Sequence, residues 1–348
     1  MATDTLMTAE AQTARLCALR RGFSTIHLID VGIKLGFFRA LAETPGQTAD
    51  ELAQRLDLNA AWVRTWLWTA HGEALVDGDA DERFRLAPHM DQLLATPSHP
   101  RYLGGYMQLG TDFATEDFRR SVAGYGNAEV VPFQGRGEAF AQAVAEATWG
   151  LQIVTAKKLL PGLDGLQARL AAGGTVLEVG CGTANFVVLA AKSFPAARVV
   201  GVDIDPDGLA VGRRRIDEAG VGGRAEVHEG TVAASVPPKS VDVVVMVQVL
   251  HEIEQNLRPT VVDECAAALK PGGWLVIVDE TYPSTLAQTR EAEFRVPLYT
   301  GIEELTWGNI VPTREEQESL LRNAGFTGPI GRSLLGEGFT VLTAQAPA

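Results

Sequence analysis

The 348 residues contain no apolar run of eighteen, the length that a bilayer-spanning helix needs. The opening MATDTLMTAEAQTARL lacks the basic stretch and apolar core of a secretion signal. Neither membrane insertion nor export is expected. A cation excess is missing too. Lys plus Arg number 30 against 43 Asp plus Glu, a net charge of -13, which excludes a broad phosphate-binding surface for nucleic acid or anionic lipid. Cysteine is scarce: Cys17, Cys181 and Cys265 are odd in number, far apart and without CxxC spacing. That excludes a disulfide framework and suits a reducing cytoplasm. Histidine is scarce as well, with none after His251, and the HExxH-like string that starts at His251-Glu252 ends in Gln255. A zinc-protease site is thereby excluded and no metal is expected. The remainder, 46% hydrophobic and 21% charged, is ordinary globular composition at a length of about two domains.

Changes of period divide the chain into residues 1–95, 96–170 and 171–348. In the first segment, FSTIHLIDVGIKLGFFRALA has apolar groups at helical spacing, Thr48 is placed to cap ADELAQRLDL, and Asn59 to cap AAWVRTWLWTAHGEA. ALVDGDADERFRLAP then reads as two short strands about a polar turn. Helices followed by a hairpin in this order describe a winged helix. Residues 1–100 hold nine Lys/Arg against thirteen Asp/Glu, and the third helix carries Trp62, Trp66, Leu67 and Trp68 with one cation, Arg64. A DNA reader is normally basic, so a protein contact and dimerisation are the expectation, with a DNA- or ligand-sensing regulator as the alternative. Residues 96–170 read as helices with glycine breaks. They are placed to form a connecting arm or the roof of a pocket, lined by Met107, Phe113 and Trp149.

The third segment alternates short apolar strands with helices. The strands are TVLEVG, ARVVGVDID, AEVHEG, VDVVVMVQVL, GGWLVIVDE and GFTVLTAQA. Runs buried on both faces imply a parallel, doubly wound α/β sheet of the Rossmann-like kind with an antiparallel last strand or two, whose ligand sits beyond the strands' carboxyl ends. There the turn Gly180-Cys181-Gly182 follows Glu178, and Asp203 ends the next strand. Glycines permit a tight turn close to a ligand, and a carboxylate ending the second strand can accept both hydroxyls of a ribose. After Gly180 and Gly182 the third glycine of a dinucleotide fingerprint is missing, which disfavours a nicotinamide enzyme.

The pattern ExGCGTA, followed by GVDID and PGGWLVIVDE, resembles the class I S-adenosylmethionine-dependent methyltransferases. With the N-terminal helices, the connector and MVQVLHEIEQN, the chain resembles the small-molecule O-methyltransferases that dimerise through their N-terminal halves. The resemblance implies S-adenosyl-L-methionine as cofactor. It places Glu178, Gly180, Cys181 and Gly182 beside the methionine and ribose, Asp203 on the ribose hydroxyls, Ile204 against the adenine, Thr231 where an Asp often meets the adenine amine, and Gln248 near the methionine end. Cys181 by itself is simply a small turn residue.

The same resemblance makes His251 the catalytic base, able as a neutral imidazole to take a proton from a phenol or hydroxyl. Glu252 and Ile253 replace the usual Asp and Trp of that motif. Of the two acids that orient such a histidine, Glu280 matches the first, while Val311 stands where the second belongs; Glu303 or Glu304, from the preceding loop, are the candidates to replace it. The acceptor implied is small and aromatic or apolar, with Tyr299 and Trp307 of FRVPLYTGIEELTWGN added to its pocket. The altered acid leaves C- or N-methylation, or cofactor-assisted chemistry without methyl transfer, open beside O-methylation.

Overall fold

The computed structural model describes residues 8–336 and 338–347. The chain divides into two compact units, Met1–Asp112 and Phe113–Ala348, a boundary that falls inside the 96–170 segment.

The N-terminal unit holds α1 (Ala9–Lys34), α2 (Phe37–Glu43), α3 (Ala49–Leu56), α4 (Ala60–Gly72), β1 (Val76–Gly78), β2 (Phe84–Leu86) and α5 (Gly104–Leu109). The periodic stretch expected as one helix is broken where Gly36 takes φ +77°, and α1 and α2 separate there. Thr48 and Glu51 cap α3 reciprocally, each side chain accepting the other's backbone N–H, and the Asn59 carboxamide oxygen accepts from Ala61 and Trp62 to start α4. β1 and β2 pair antiparallel about the polar turn. The three tryptophans do not share one environment. Trp66 is buried between Phe37 and Phe38 and donates its indole N–H to the Leu28 carbonyl, whereas Trp62 and Trp68 are exposed.

The C-terminal unit begins with α6 (Thr115–Asn127), α7 (Glu138–Ala147), α8 (Trp149–Val154) and α9 (Leu166–Ala171). Then β3 (Thr175–Val179), α10 (Asn185–Ser193), β4 (Arg198–Asp203), α11 (Pro206–Glu218), β5 (Ala225–Glu229), α12 (Val232–Ser235), β6 (Val241–Val247), α13 (Arg258–Ala268) and β7 (Leu269–Glu280) alternate. α14 (Arg295–Trp307), α15 (Arg314–Asn323), β8 (Gly331–Leu335) and β9 (Phe339–Gln345) complete it. The seven strands lie in the order β5-β4-β3-β6-β7-β9-β8, and β9 runs antiparallel to both its neighbours while the others pair parallel. β8 was not expected; its GRSLL is a largely exposed edge strand without the apolar run that marks the rest.

Alternation along each strand divides the core between two faces. Val176, Val243 and Val245 face one cluster with Phe186 and Leu209, while Leu177, Val244 and Met246 face the other with Val262, Cys265 and Leu320. Helices therefore cover both sides, as a parallel sheet requires. The strand order reverses between β3 and β6. Their carboxyl ends, at Gly180 and Gln248, open the crevice where ligands of such sheets bind.

Candidate active site

The glycine turn is tied to the strand beside it. The Gly180 and Cys181 N–H groups donate to the Val202 carbonyl at 2.8 and 3.1 Å, and the Gly182 N–H donates to the Asp203 carboxylate at 2.6 Å. Gly180 has φ +69°, and a Cβ there would lie 2.4 Å from a Val249 methyl, so both its conformation and the approach of the β6 end demand glycine. Ala184, ending the ExGCGTA pattern, takes φ +59°, a left-handed conformation that costs an alanine about 1–2 kcal/mol. Phe186 is fully buried in the core beneath the turn. Truncating it to alanine would cost about 3–5 kcal/mol. The Cys181 thiol is buried, and its pKa is pushed well up by that burial and by the charges of Glu178 and Asp203, so it stays protonated and serves as a small packing residue.

Beside this turn stand two carboxylates. Glu178 is buried and its Oε2 finds no hydrogen-bond partner; burial first, then the Asp203 charge, push its pKa well up. Asp203 accepts from Gly182 through Oδ2 and from the Asp205 N–H through Oδ1 at 2.9 Å, and burial raises its pKa against those bonds. Ile204, next along, is 63% exposed. Thr231 caps α12 with its hydroxyl. Gln248 follows β6 in the left-handed region at φ +58°, its N–H donating to the Val278 carbonyl.

Three residues on, a short turn at Leu250–Glu252 delivers His251 into a ring of acids. The imidazole is 3% exposed. Its Nδ1 is hydrogen-bonded to Asp279 Oδ1, and its backbone N–H donates to Asp279 Oδ2 at 3.3 Å. Glu280 Oε2 lies 3.2 Å from the same Nδ1, but one N–H cannot serve both acids, and that oxygen is left without a partner. Nε2 faces Glu304 Oε1 at 3.6 Å. Burial by itself would depress the imidazole pKa; the summed charge of Asp279, Glu280 and Glu304 outweighs it and holds the ring well above its ordinary value. Burial pushes Glu280 and Glu304 each up to about 7, and Glu252 well up. Glu303 is raised by burial, then by Asp117, to about 6.

Two expectations change here. The acid that holds the ring is Asp279, which sequence reasoning passed over for its neighbour Glu280. Glu303 and Glu304 stand on helix α14, not in a loop. Val311 is buried, and of the acids weighed for its missing role it is Glu304, clasped by the Asn309 side chain at 3.2 Å, that reaches His251.

Residues 176–273 match the family model of a methyltransferase domain. Among solved structures, human N-acetylserotonin methyltransferase in complex with S-adenosylmethionine superposes with a TM-score of 0.77, at 16% identity, over 99% of this chain and 100% of that one. The chain carries an S-adenosylmethionine-dependent methyltransferase domain. In sequence the methyltransferase is 28% identical over 169 residues to demethylmenaquinone methyltransferase of Geobacillus kaustophilus, covering 44% of this chain and 71% of the relative. It spans about half the length of the Listeria enzymes of that name, 49% for Listeria welshimeri. It is 25% identical over 269 residues, 75% of each chain, to 3-hydroxy-5-methyl-1-naphthoate 3-O-methyltransferase of Streptomyces sahachiroi.

The methyltransferase's own atoms fit its cofactor. The buried, orphaned Glu178 Oε2 and the Asp203 carboxylate flank a turn in which Gly180 leaves no room for a side chain. Glu178, Gly180 to Gly182 and Asp203 are the residues that could hold it. The aromatics divide differently from the sequence reading. Phe113 and Trp307 meet in one cluster through Phe140 and Phe133, with ring centroids 5.0–6.5 Å apart and the Arg136 guanidinium 4.0 Å above Phe140. The Trp307 indole N–H donates to Asp117 at 3.0 Å. Phe133 and Phe140 went unnoticed, since nothing in their spacing ties them to Trp307. Trp149 packs on the sheet core, Tyr299 is 66% exposed on α14, and Met107 belongs to the N-terminal unit.

Proposed function

We propose that this methyltransferase transfers the methyl group to a hydroxyl oxygen of a small aromatic or apolar acceptor, with His251 as the base. The observation that carries the reading is the imidazole beyond the end of β6, its Nδ1 held by Asp279 and its Nε2 turned toward Glu304. S-Adenosylmethionine supplies an electrophilic methyl on a sulfonium, so the protein's work is alignment, exclusion of water and removal of one proton. Asp203 and the glycine turn hold the nucleoside end. Asp279 fixes the tautomer in which Nδ1 carries the proton and the Nε2 lone pair is free, and Nε2 takes the acceptor's hydroxyl proton as the methyl leaves sulfur. The aromatic cluster of Phe113, Phe133, Phe140 and Trp307 supports an aromatic acceptor, in keeping with the naphthoate named for the Streptomyces relative.

The test is a panel of phenols, hydroxynaphthoates and aryl amines incubated with labelled S-adenosylmethionine, the product's methylated atom assigned by NMR. An O-methyl ether is expected. Methylation confined to amines would replace this reading with the second one, which the carboxylates of Glu252, Glu280, Glu303 and Glu304 support because they complement an ammonium.

The dimer also belongs to this reading. Leu16, Leu19, Phe23 and Ile26 recur on α1 at steps of three and four, and all four are exposed in the single chain. Such a stripe is the seam of a helix that packs on another copy.

A further inference from the structure

Arg258 opens α13 and is completely buried, a position where a guanidinium persists only if its donors are met. Its partners are unusual in kind. Nε donates to the Ile253 carbonyl at 3.0 Å, Nη2 to the carbonyls of His251 at 3.3 Å and of Ile310, and Nη1 to Glu316 Oε1 at 2.7 Å. Three of the four are main-chain oxygens, and they come from the two segments that build the acid–histidine site. One is the turn that carries His251. The other is the stretch after α14, where Asn309, immediately before Ile310, grips the Glu304 carboxylate and donates its own N–H to the Glu304 carbonyl at 2.7 Å.

We propose that Arg258 is a positioning residue that fixes His251 against Glu304 from the main-chain side, supplying the restraint that an acid at the Val311 position would supply from the ring side. The proposal rests on His251 being the working base. The ring itself is restrained through Asp279 on Nδ1 alone, whereas the distance from Nε2 to Glu304 depends on how two separate loops are held together, and a single planar fork holds both. Glu316, a quarter exposed on α15, neutralises the cation through its carboxylate. Lysine at 258 keeps the charge and loses the fork, so it separates position from charge.

The experiment uses the full chain labelled with 15N-histidine, with H251N to identify the His251 signals. In the wild type the Nδ1 proton, hydrogen-bonded to Asp279, gives a low-field resonance. The ring's titration reports Asp279 and Glu280 of β7, Glu304 of α14 and Glu252 of its own turn. In R258K the resonance broadens or disappears and the titration moves by about half a pH unit or more. S-Adenosylhomocysteine affinity by calorimetry stays within about threefold, and turnover on the best phenol of the panel falls about 10- to 100-fold in kcat with KM for S-adenosylmethionine unchanged. E316Q, which leaves every carbonyl contact, changes little. A folded R258K with the wild-type resonance and titration overturns the proposal, as does an E316Q that reproduces the R258K effect. Loss of the fold in both R258K and R258Q makes Arg258 a stability residue and also overturns it. If H251A retains turnover while R258K disturbs the ring, the base assignment fails and the positioning role stands.

Discussion

A histidine enclosed by Asp279, Glu280, Glu304 and Glu252 is a titratable group whose strength its neighbours set. Because those charges hold its pKa above the ordinary value, the neutral ring is populated only on the alkaline side, and the rate should rise with pH to a midpoint above the usual histidine range. Removing a raising charge in Asp279→Asn should move that midpoint down and lower the plateau, since the ring also loses its anchor. The same logic separates two kinds of variant. His251→Ala should lower turnover by about 10²–10⁴ with S-adenosylhomocysteine affinity unchanged within a few-fold, whereas Asp203→Ala should weaken that affinity by about 1–3 kcal/mol. A His251→Ala enzyme at full rate, or an Asp203→Ala enzyme that binds as the wild type does, removes the corresponding role.

At the scale of elements, the turn between β3 and α10 is the least tolerant part of the site. Gly180→Ala combines a left-handed φ with a Cβ 2.4 Å from Val249, so either the turn or the end of β6 must shift. Overpacking of this kind costs about 1–3 kcal/mol. The expected outcome is a lower melting temperature together with weakened S-adenosylhomocysteine binding; unchanged values of both would show that the turn does not depend on this glycine. α14 has the opposite character. Its sequence, RVPLYTGIEELTW, has no single apolar face, and it works by sending Glu304 to His251 and Trp307 to the aromatic cluster from successive turns.

For the whole molecule, net charge and the apolar stripe on α1 point the same way. The N-terminal 100 residues are acidic, which suits a protein partner, and Leu16, Leu19, Phe23 and Ile26 are left uncovered by the single chain. Light scattering should give twice the chain mass. Leu19→Glu combined with Phe23→Glu should yield monomer, with helicity retained because both side chains already face solvent. A dimer that survives both charges would place the interface elsewhere.

Strand periods, glycine spacing and caps are local properties, and the sequence by itself determined them. The parallel sheet, the turn at Gly180-Cys181-Gly182, Asp203 at a strand end and the Thr48 and Asn59 caps follow from residues within a few positions of one another. The partners of His251 do not. Asp279 and Glu280 are adjacent, and on a strand adjacent side chains point to opposite faces, yet at the strand's end both approach Nδ1, and only the packing decides which one accepts the ring N–H. Glu304 lies fifty-three positions from His251 on another element, and Arg258 binds carbonyls, which carry no side-chain signal at all. The sequence could name the chemistry of the site because residue type is local; its geometry waited on the tertiary structure, because burial and long-range approach set which acid meets which nitrogen.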